Sequence, residues 1–293
     1  MATTGSSQGG YYSSAAIGST ALACFRDDGP LIYRGRYVTR DLPPREADAN
    51  LAIGIALHEM VEGWGLDGQP GESPIGRSRL TTVEYRGKPL GRRQGATWDA
   101  AVAEHGPGGV ILAHERALAL NLYLSLLTPR TPMEEQAADL IRTATAREAE
   151  VFWRHESGLE CRSKHDLRGD AWFADIKSYG RPIPPAERYG DGLARFGGIY
   201  QLGLYDLGFE SATGLPAEKI FHLVASKEPP YEWGCFEIDA EDIAIARRQV
   251  GRDLAELSWC YENDKWWRRA ADESQSASLP AWWRRKHEER IWI

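Results

Sequence analysis

A change of period near residue 150 limits the fold of this 293-residue chain more than any other feature. Upstream, apolar residues recur at helical spacing. Asp48 to Trp64 opens on capping residues and carries Leu57, Met60, Val61 and Trp64 on one face, Glu115 to Leu127 is an Ala-rich run closed by Pro129, and a third helix is predicted from Met133 to about Glu150. Downstream, Val151–His155, Glu160–Leu167 and Trp172–Ser178 read as three short strands separated by Ser-Gly and Gly-Asp turns, which predicts a meander. Helix returns over Ala186–Phe209, with Gly197-Gly198 as a weak point. Ile220–Ser226 and Glu232–Ile238 then flank a Pro-Pro turn as strands, and Asp239–Trp259 is an amphipathic helix behind an acidic cap. Helices, meander, helix, hairpin, helix predicts an α/β (α+β) domain in which helices cover a mixed sheet.

Composition narrows the class. At 42% hydrophobic and 26% charged the chain can bury one large core. No run approaches the eighteen or so apolar residues of a membrane span, and the Ser/Gly/Thr-rich start lacks signal-peptide regions, so a cytoplasmic protein without membrane contact is expected. Residues 1–14 read as a polar tail and 15–293 as one domain. Cys24, Cys161, Cys235 and Cys260 stand far apart with no CxxC pair, which argues for free thiols and against zinc-knuckle or iron–sulfur chemistry. The net charge of -7 argues against nonspecific coating of nucleic acid, but it permits a local basic surface beside a cluster of acids. Residues 77–93 supply such a surface, with six basic residues and one acidic one among β-formers.

The chemistry-bearing constellation is Asp166 followed by Asp175-Ile176-Lys177. Side chains two apart on a strand share a face, so Asp175 and Lys177 converge while Ile176 points to the core, and a hairpin between Leu167 and Trp172 brings Asp166 alongside. Paired carboxylates make a hard oxygen site suited to Mg²⁺ or Mn²⁺, and a neighbouring lysine can orient or help deprotonate water. The triplet by itself decides nothing. With 42 acids and seven lysines, about one acid-x-Lys is expected by chance, and taken alone the triplet reads more readily as a solvated strand with a surface ion pair. Three other features bear on it, each with a plainer reading: His58 on a buried helix (a core histidine), Gln201 and Tyr205 four apart on one helix face (ordinary packing), and the 77–93 block (a solvated face).

Together these residues resemble the PD-(D/E)XK nucleases of the RecE (exonuclease VIII) type. The matching pieces are LAIGIALHEMVE around His58, EAEVFW at Glu148–Trp153, GLECRSKHD ending at Asp166, ADIKS at Asp175–Lys177, YQLGLYDLG with Gln201 and Tyr205, KEPPY at Lys227–Tyr231, and a closing LPAWW. Agreement in order over residues 11–283 is more specific than any single motif. One departure is Lys164-His165-Asp166, where the family commonly has an Arg-Pro-Asp or similar triplet.

The resemblance implies a restriction-endonuclease-like core in residues 131–293, behind an N-terminal helical part (15–130) that carries His58 and the basic block. It implies that His58, Asp166 and Asp175 hold Mg²⁺ (or Mn²⁺), that Lys177 assists the attacking water, that Gln201 and Tyr205 position a DNA strand, and that Glu148 has a supporting place. Arg92 and Arg93 are candidate phosphate contacts. The implied activity is 5′-to-3′ digestion of linear double-stranded DNA, exposing 3′ single strand for an annealing protein, by a homo-oligomer such as a tetramer. A catalytically silent DNA-binding or assembly subunit, and an endonuclease or flap nuclease of the same fold, remain open alternatives. The Trp/Arg stretch from Lys265 to Arg290 is read as core or interface packing.

Overall fold

A computed structural model of the chain describes residues 14–43, 49–63, 80–106 and 109–268. The first thirteen residues of the predicted tail, Asp48, Trp64, residues 77–79, and the Trp/Arg stretch from residue 269 on with LPAWW lie outside the described residues.

Helices α1 (Ser19–Asp27), α2 (Pro30–Tyr33) and α3 (Ala49–Glu62) open the chain. The basic block follows as two-residue strands β1 (Thr81–Thr82), β2 (Glu84–Tyr85) and β3 (Lys88–Pro89), of which β2 and β3 form a hairpin. Next come α4 (Ala96–His105), β4 (Val110–Ile111) beside β1, α5 (Ala113–Ser125) and α6 (Pro132–Thr143). The start of α6 is written in its residues: the Thr131 hydroxyl accepts from the Glu134 N–H at 3.2 Å, Pro132 needs no donor partner, and Glu134 and Glu135 face the helix N-terminus.

Two helix predictions need correction. The helix predicted to about Glu150 ends at Thr143, because Ala146–Arg154 is strand β5 and pairs antiparallel along its length with β6 (Glu160–Arg168). The local sequence AREAE favours helix, but a ladder from Ala146↔Arg168 to Arg154↔Glu160 overrides it. The helix predicted over 186–209 is two, α7 (Ala186–Arg195) and α8 (Gly198–Thr213), broken where Gly197 takes the left-handed conformation at φ 74°.

Strands β7 (Trp172–Tyr179), β8 (Lys219–Ser226) and β9 (Trp233–Glu237) complete a five-stranded sheet of order β5-β6-β7-β8-β9. β7 and β8 run parallel and the other neighbours antiparallel, so the sheet is mixed, and α7 and α8 make the crossover. The last helix, α9 (Ala240–Asn263), is capped by the Asp239 carboxylate accepting from the Glu241 N–H at 2.7 Å. One face of the sheet packs Ala174, Ile176, Leu223 and Trp233 against α3, α5 and α6, and the other packs Val151, Cys161, Phe173 and Ile220 against α1, α8 and α9. Gly203 lets α8 lie close on α9: a Cβ there would come within 2.8 Å of Ala246. The four cysteines are buried free thiols. No helix among the described residues is long and apolar enough to cross a membrane.

Candidate metal centre

The site occupies a seam in the sheet. β6 and β7 pair only at Leu167↔Ala174 and Arg168↔Phe173, then diverge. Beyond that point two side chains satisfy the backbone of Ile176: its N–H donates to Asp166 Oδ2 at 2.6 Å, and His58 Nε2 lies 3.0 Å from its carbonyl. A carbonyl only accepts, so Nε2 carries a proton and Nδ1 faces away from the strand. That nitrogen meets Glu148 Oε1 at 3.3 Å and Asp166 Oδ1 at 3.4 Å.

Ligand atoms of His58, Glu148 and Asp166 all lie within 4.8 Å of one another. They come from α3 and from the consecutive strands β5 and β6. An imidazole nitrogen fixed in its tautomer by a backbone carbonyl, facing two largely buried carboxylates, is a donor set that fits a divalent cation such as Mg²⁺ or Mn²⁺. Glu148 sits at φ 49°, a left-handed conformation unfavourable for a residue with a Cβ and unusual inside a strand.

Asp175 stands next to this group but outside it. Its Oδ2 contacts Lys177 Nζ at 2.7 Å and His222 Nε2 at 3.2 Å, and its Oδ1 accepts from Gln201 Nε2 at 3.3 Å. The structure therefore brings the predicted His58 and Asp166 together with Glu148, and places Asp175 in an adjoining cluster with Lys177 and Gln201. The predicted sharing of a face holds: Ile176 joins the apolar core while Asp175 and Lys177 project from the opposite side. Tyr205 is only 8% exposed, and its carbonyl faces His165 Nε2 at 2.9 Å. His165 is fully buried among Phe173, Tyr205 and Phe209, and burial pulls its pKa down to about 4.

Charge in the site is internally compensated. Burial pulls His58 down, yet Asp166 and Glu148 outweigh it and hold the imidazole up at about 9. Burial works to raise Glu148, but His58 and an ion pair with Lys164 keep it at about 2. For Asp166 burial prevails, with Asp175 and Glu148 adding to it, and lifts the carboxyl to about 7 against the pull of His58. Burial also opposes ionisation of Asp175, and there Lys177 and His222 hold the carboxyl well below the ordinary range. Burial disfavours the Lys177 ammonium, but Asp175 and Asp166 raise its pKa, so it stays charged at neutral pH.

Away from the seam, Arg93 is committed elsewhere. Its Nε and Nη2 each donate at 2.8 Å to Glu115, whose carboxylate also accepts from the Leu112 N–H that begins α5. Arg92 is exposed. Sequence reasoning missed Lys164 and His222. Lys164 looked like part of the strand carrying Asp166, and His222 is the one titratable side chain within the apolar IFHLVA run of β8.

No family model matches this chain, and no curated protein matches it. Among solved structures, the fold is similar to the crystal structure of a protein from Eubacterium rectale named "putative exonuclease", with a TM-score of 0.61 at 12% sequence identity, covering 99% of each chain. At that identity the likeness concerns the fold: a mixed sheet flanked by helices, as the resemblance implied.

Proposed function

We propose that this chain is a metal-dependent exodeoxyribonuclease that hydrolyses phosphodiester bonds of linear double-stranded DNA. The observation that carries the reading is the convergence of His58, Glu148 and Asp166 from three separate elements, next to the Asp175–Lys177 pair. His58, Glu148 and Asp166 would hold the cation, with Asp175 as the neighbouring acid. Bound there, Mg²⁺ or Mn²⁺ supplies Lewis acidity to a phosphoryl oxygen and to water.

The chain's own residues do the rest. His58 presents Nδ1 because Ile176 holds Nε2–H. Lys177 supplies an ammonium donor beside the acids, suited to orienting water and to balancing charge that develops on phosphate, and less suited to removing a proton. Gln201 fixes one oxygen of Asp175. Arg92 is the candidate phosphate contact in the basic block. Polarity of 5′ to 3′, release of 3′ single strand to an annealing protein, and a ring-like homo-oligomer such as a tetramer belong to the same proposal and rest on the RecE-type resemblance.

The test is degradation of end-labelled linear duplex with Mg²⁺ or Mn²⁺. Loss of 5′ label first, abolition by EDTA and by Asp166→Asn, and intact closed circles support the reading. Binding without cleavage would replace it with a silent DNA-binding subunit, and nicked circles would replace it with an endonuclease.

A further inference from the structure

We infer that His222, set by Tyr189, is a positioning residue that orients the Asp175 carboxylate for the hydrolysis proposed above; the inference rests on that reading for its kinetic part only.

His222 lies on β8 directly beside Asp175 on β7, partners in the parallel ladder. It is 2% exposed in a strand where Ile220, Phe221, Leu223, Val224 and Ala225 around it are buried and apolar. A buried imidazole needs partners for both nitrogens, and each nitrogen has a polar neighbour. Nδ1 lies 2.6 Å from the Tyr189 hydroxyl, and Nε2 lies 3.2 Å from Asp175 Oδ2. The carboxylate is ionised and can only accept, so the arrangement is favourable when Nε2 carries the proton and the phenol donates to Nδ1. The opposite tautomer would point a lone pair at a buried anion. Tyr189 is itself held in place, because its ring stacks on Phe236 with centroids 4.0 Å apart and planes 8° apart. Its pKa is pushed up, mainly by burial, so the phenol keeps its proton. The N-terminus of α8 closes over the imidazole, where a Cβ on Gly198 would come within 3.5 Å of His222 Cε1.

The pair is not required by packing. A leucine fills the same volume in an apolar strand without a buried polar group, so a histidine whose two nitrogens both need partners is an expensive choice unless its contact is used. The contact falls on the oxygen that Lys177 also touches, while Gln201 takes the other, so three side chains approach the carboxylate. Among the described residues, Asp175 Oδ2 and His222 Nε2 are both buried without a well-aligned hydrogen bond, which leaves the pair free to tighten by a small rotation. Supporting side chains around a metal centre typically change affinity or rate about 10–100-fold when removed.

The experiment combines kinetics on full-length protein with NMR of ¹⁵N-histidine-labelled chain. His222→Leu should lower kcat about 10–100-fold with KM for duplex changed less than about twofold, and His222→Gln, which restores an N–H donor, should recover most of the loss. The His222 ring should show one Nε2–H tautomer, and Tyr189→Phe should move its Nδ1 resonance to that of an imidazole nitrogen without a hydrogen-bond donor. Equal losses in His222→Leu and His222→Gln, or an Nδ1–H tautomer in the wild-type chain, would overturn the assignment. If the wild-type protein cleaves no DNA, the nuclease reading falls, while the tautomer and the Nδ1 response to Tyr189→Phe still decide whether His222 is set toward Asp175.

Discussion

Asp166→Asn should stabilise the metal-free protein at alkaline pH while abolishing its activity. Lifting the Asp166 carboxyl from its ordinary 3.8 to about 7 costs the ionised form about 4 kcal/mol. The native state binds the extra proton, so this group's contribution falls as pH rises from about 4 through about 7 and stays low above that. Asparagine removes the charge and keeps a carbonyl oxygen for the Ile176 N–H. The pull of His58 at 3.4 Å is already contained in that figure, so the net stabilisation at pH 8 is up to about 4 kcal/mol. For a chain of this size that is a rise in Tm of several degrees, readable by calorimetry in EDTA. At pH 4 the wild-type carboxyl is already protonated, and the two proteins should melt together. With saturating Mn²⁺ the order reverses, since only the wild-type chain keeps its full donor set. A variant less stable than wild type at pH 8, or a difference that does not depend on pH, would refute the account of a carboxyl strained by burial.

Mn²⁺ should compete with the proton on His58, so calorimetric titration at pH 7 in buffers of different ionisation enthalpy should show proton release, and affinity should rise with pH; binding without proton release would contradict the placement of Nδ1. Arg93→Ala should cost about 2 kcal/mol in urea unfolding, because it strands the buried Glu115 carboxylate. Burial opposes ionisation of Glu115, but Arg93 and the Leu112 N–H outweigh it and hold the carboxyl below its ordinary range; the stability it adds is present above the ordinary carboxylate pKa, so the deficit should shrink as pH falls toward about 3. Arg92→Ala should leave stability unchanged and flatten the salt dependence of duplex binding, and an unaltered slope would remove Arg92 from the phosphate contacts. Gly203→Ala should lose about 1–3 kcal/mol by forcing α8 from α9, and an unchanged unfolding midpoint would show that the interface yields.

The order of elements was readable because each signal is local: Thr131-Pro132 before α6, Asp239 before α9, alternation along β6 and β7, and glycine between α7 and α8. The Asp175–Lys177 pair was readable for the same reason, since two residues on one strand need no tertiary information to share a face. Glu148 was harder. Its surroundings favour helix, and neither the strand that replaces it nor the left-handed turn at φ 49° is encoded within a few residues. Its partners are also distant, with His58 ninety positions away. His222 was invisible because its meaning depends on the parallel register of β7 and β8: a slip of one residue would put Leu223 beside Asp175 and turn the imidazole to the other face. Arg93 misled for a related reason, since a run of basic residues does not reveal which member closes on an acid twenty-two residues later.

The parting of β6 from β7 makes chemistry and architecture share one set of atoms. Wherever a neighbouring strand would ordinarily stitch Ile176, an acid and an imidazole do it instead. Disabling this protein with truncating alanines therefore risks unravelling the middle of its fold, and a dead but intact version, fit for trapping a substrate, is better sought among replacements that keep an oxygen or a nitrogen in place.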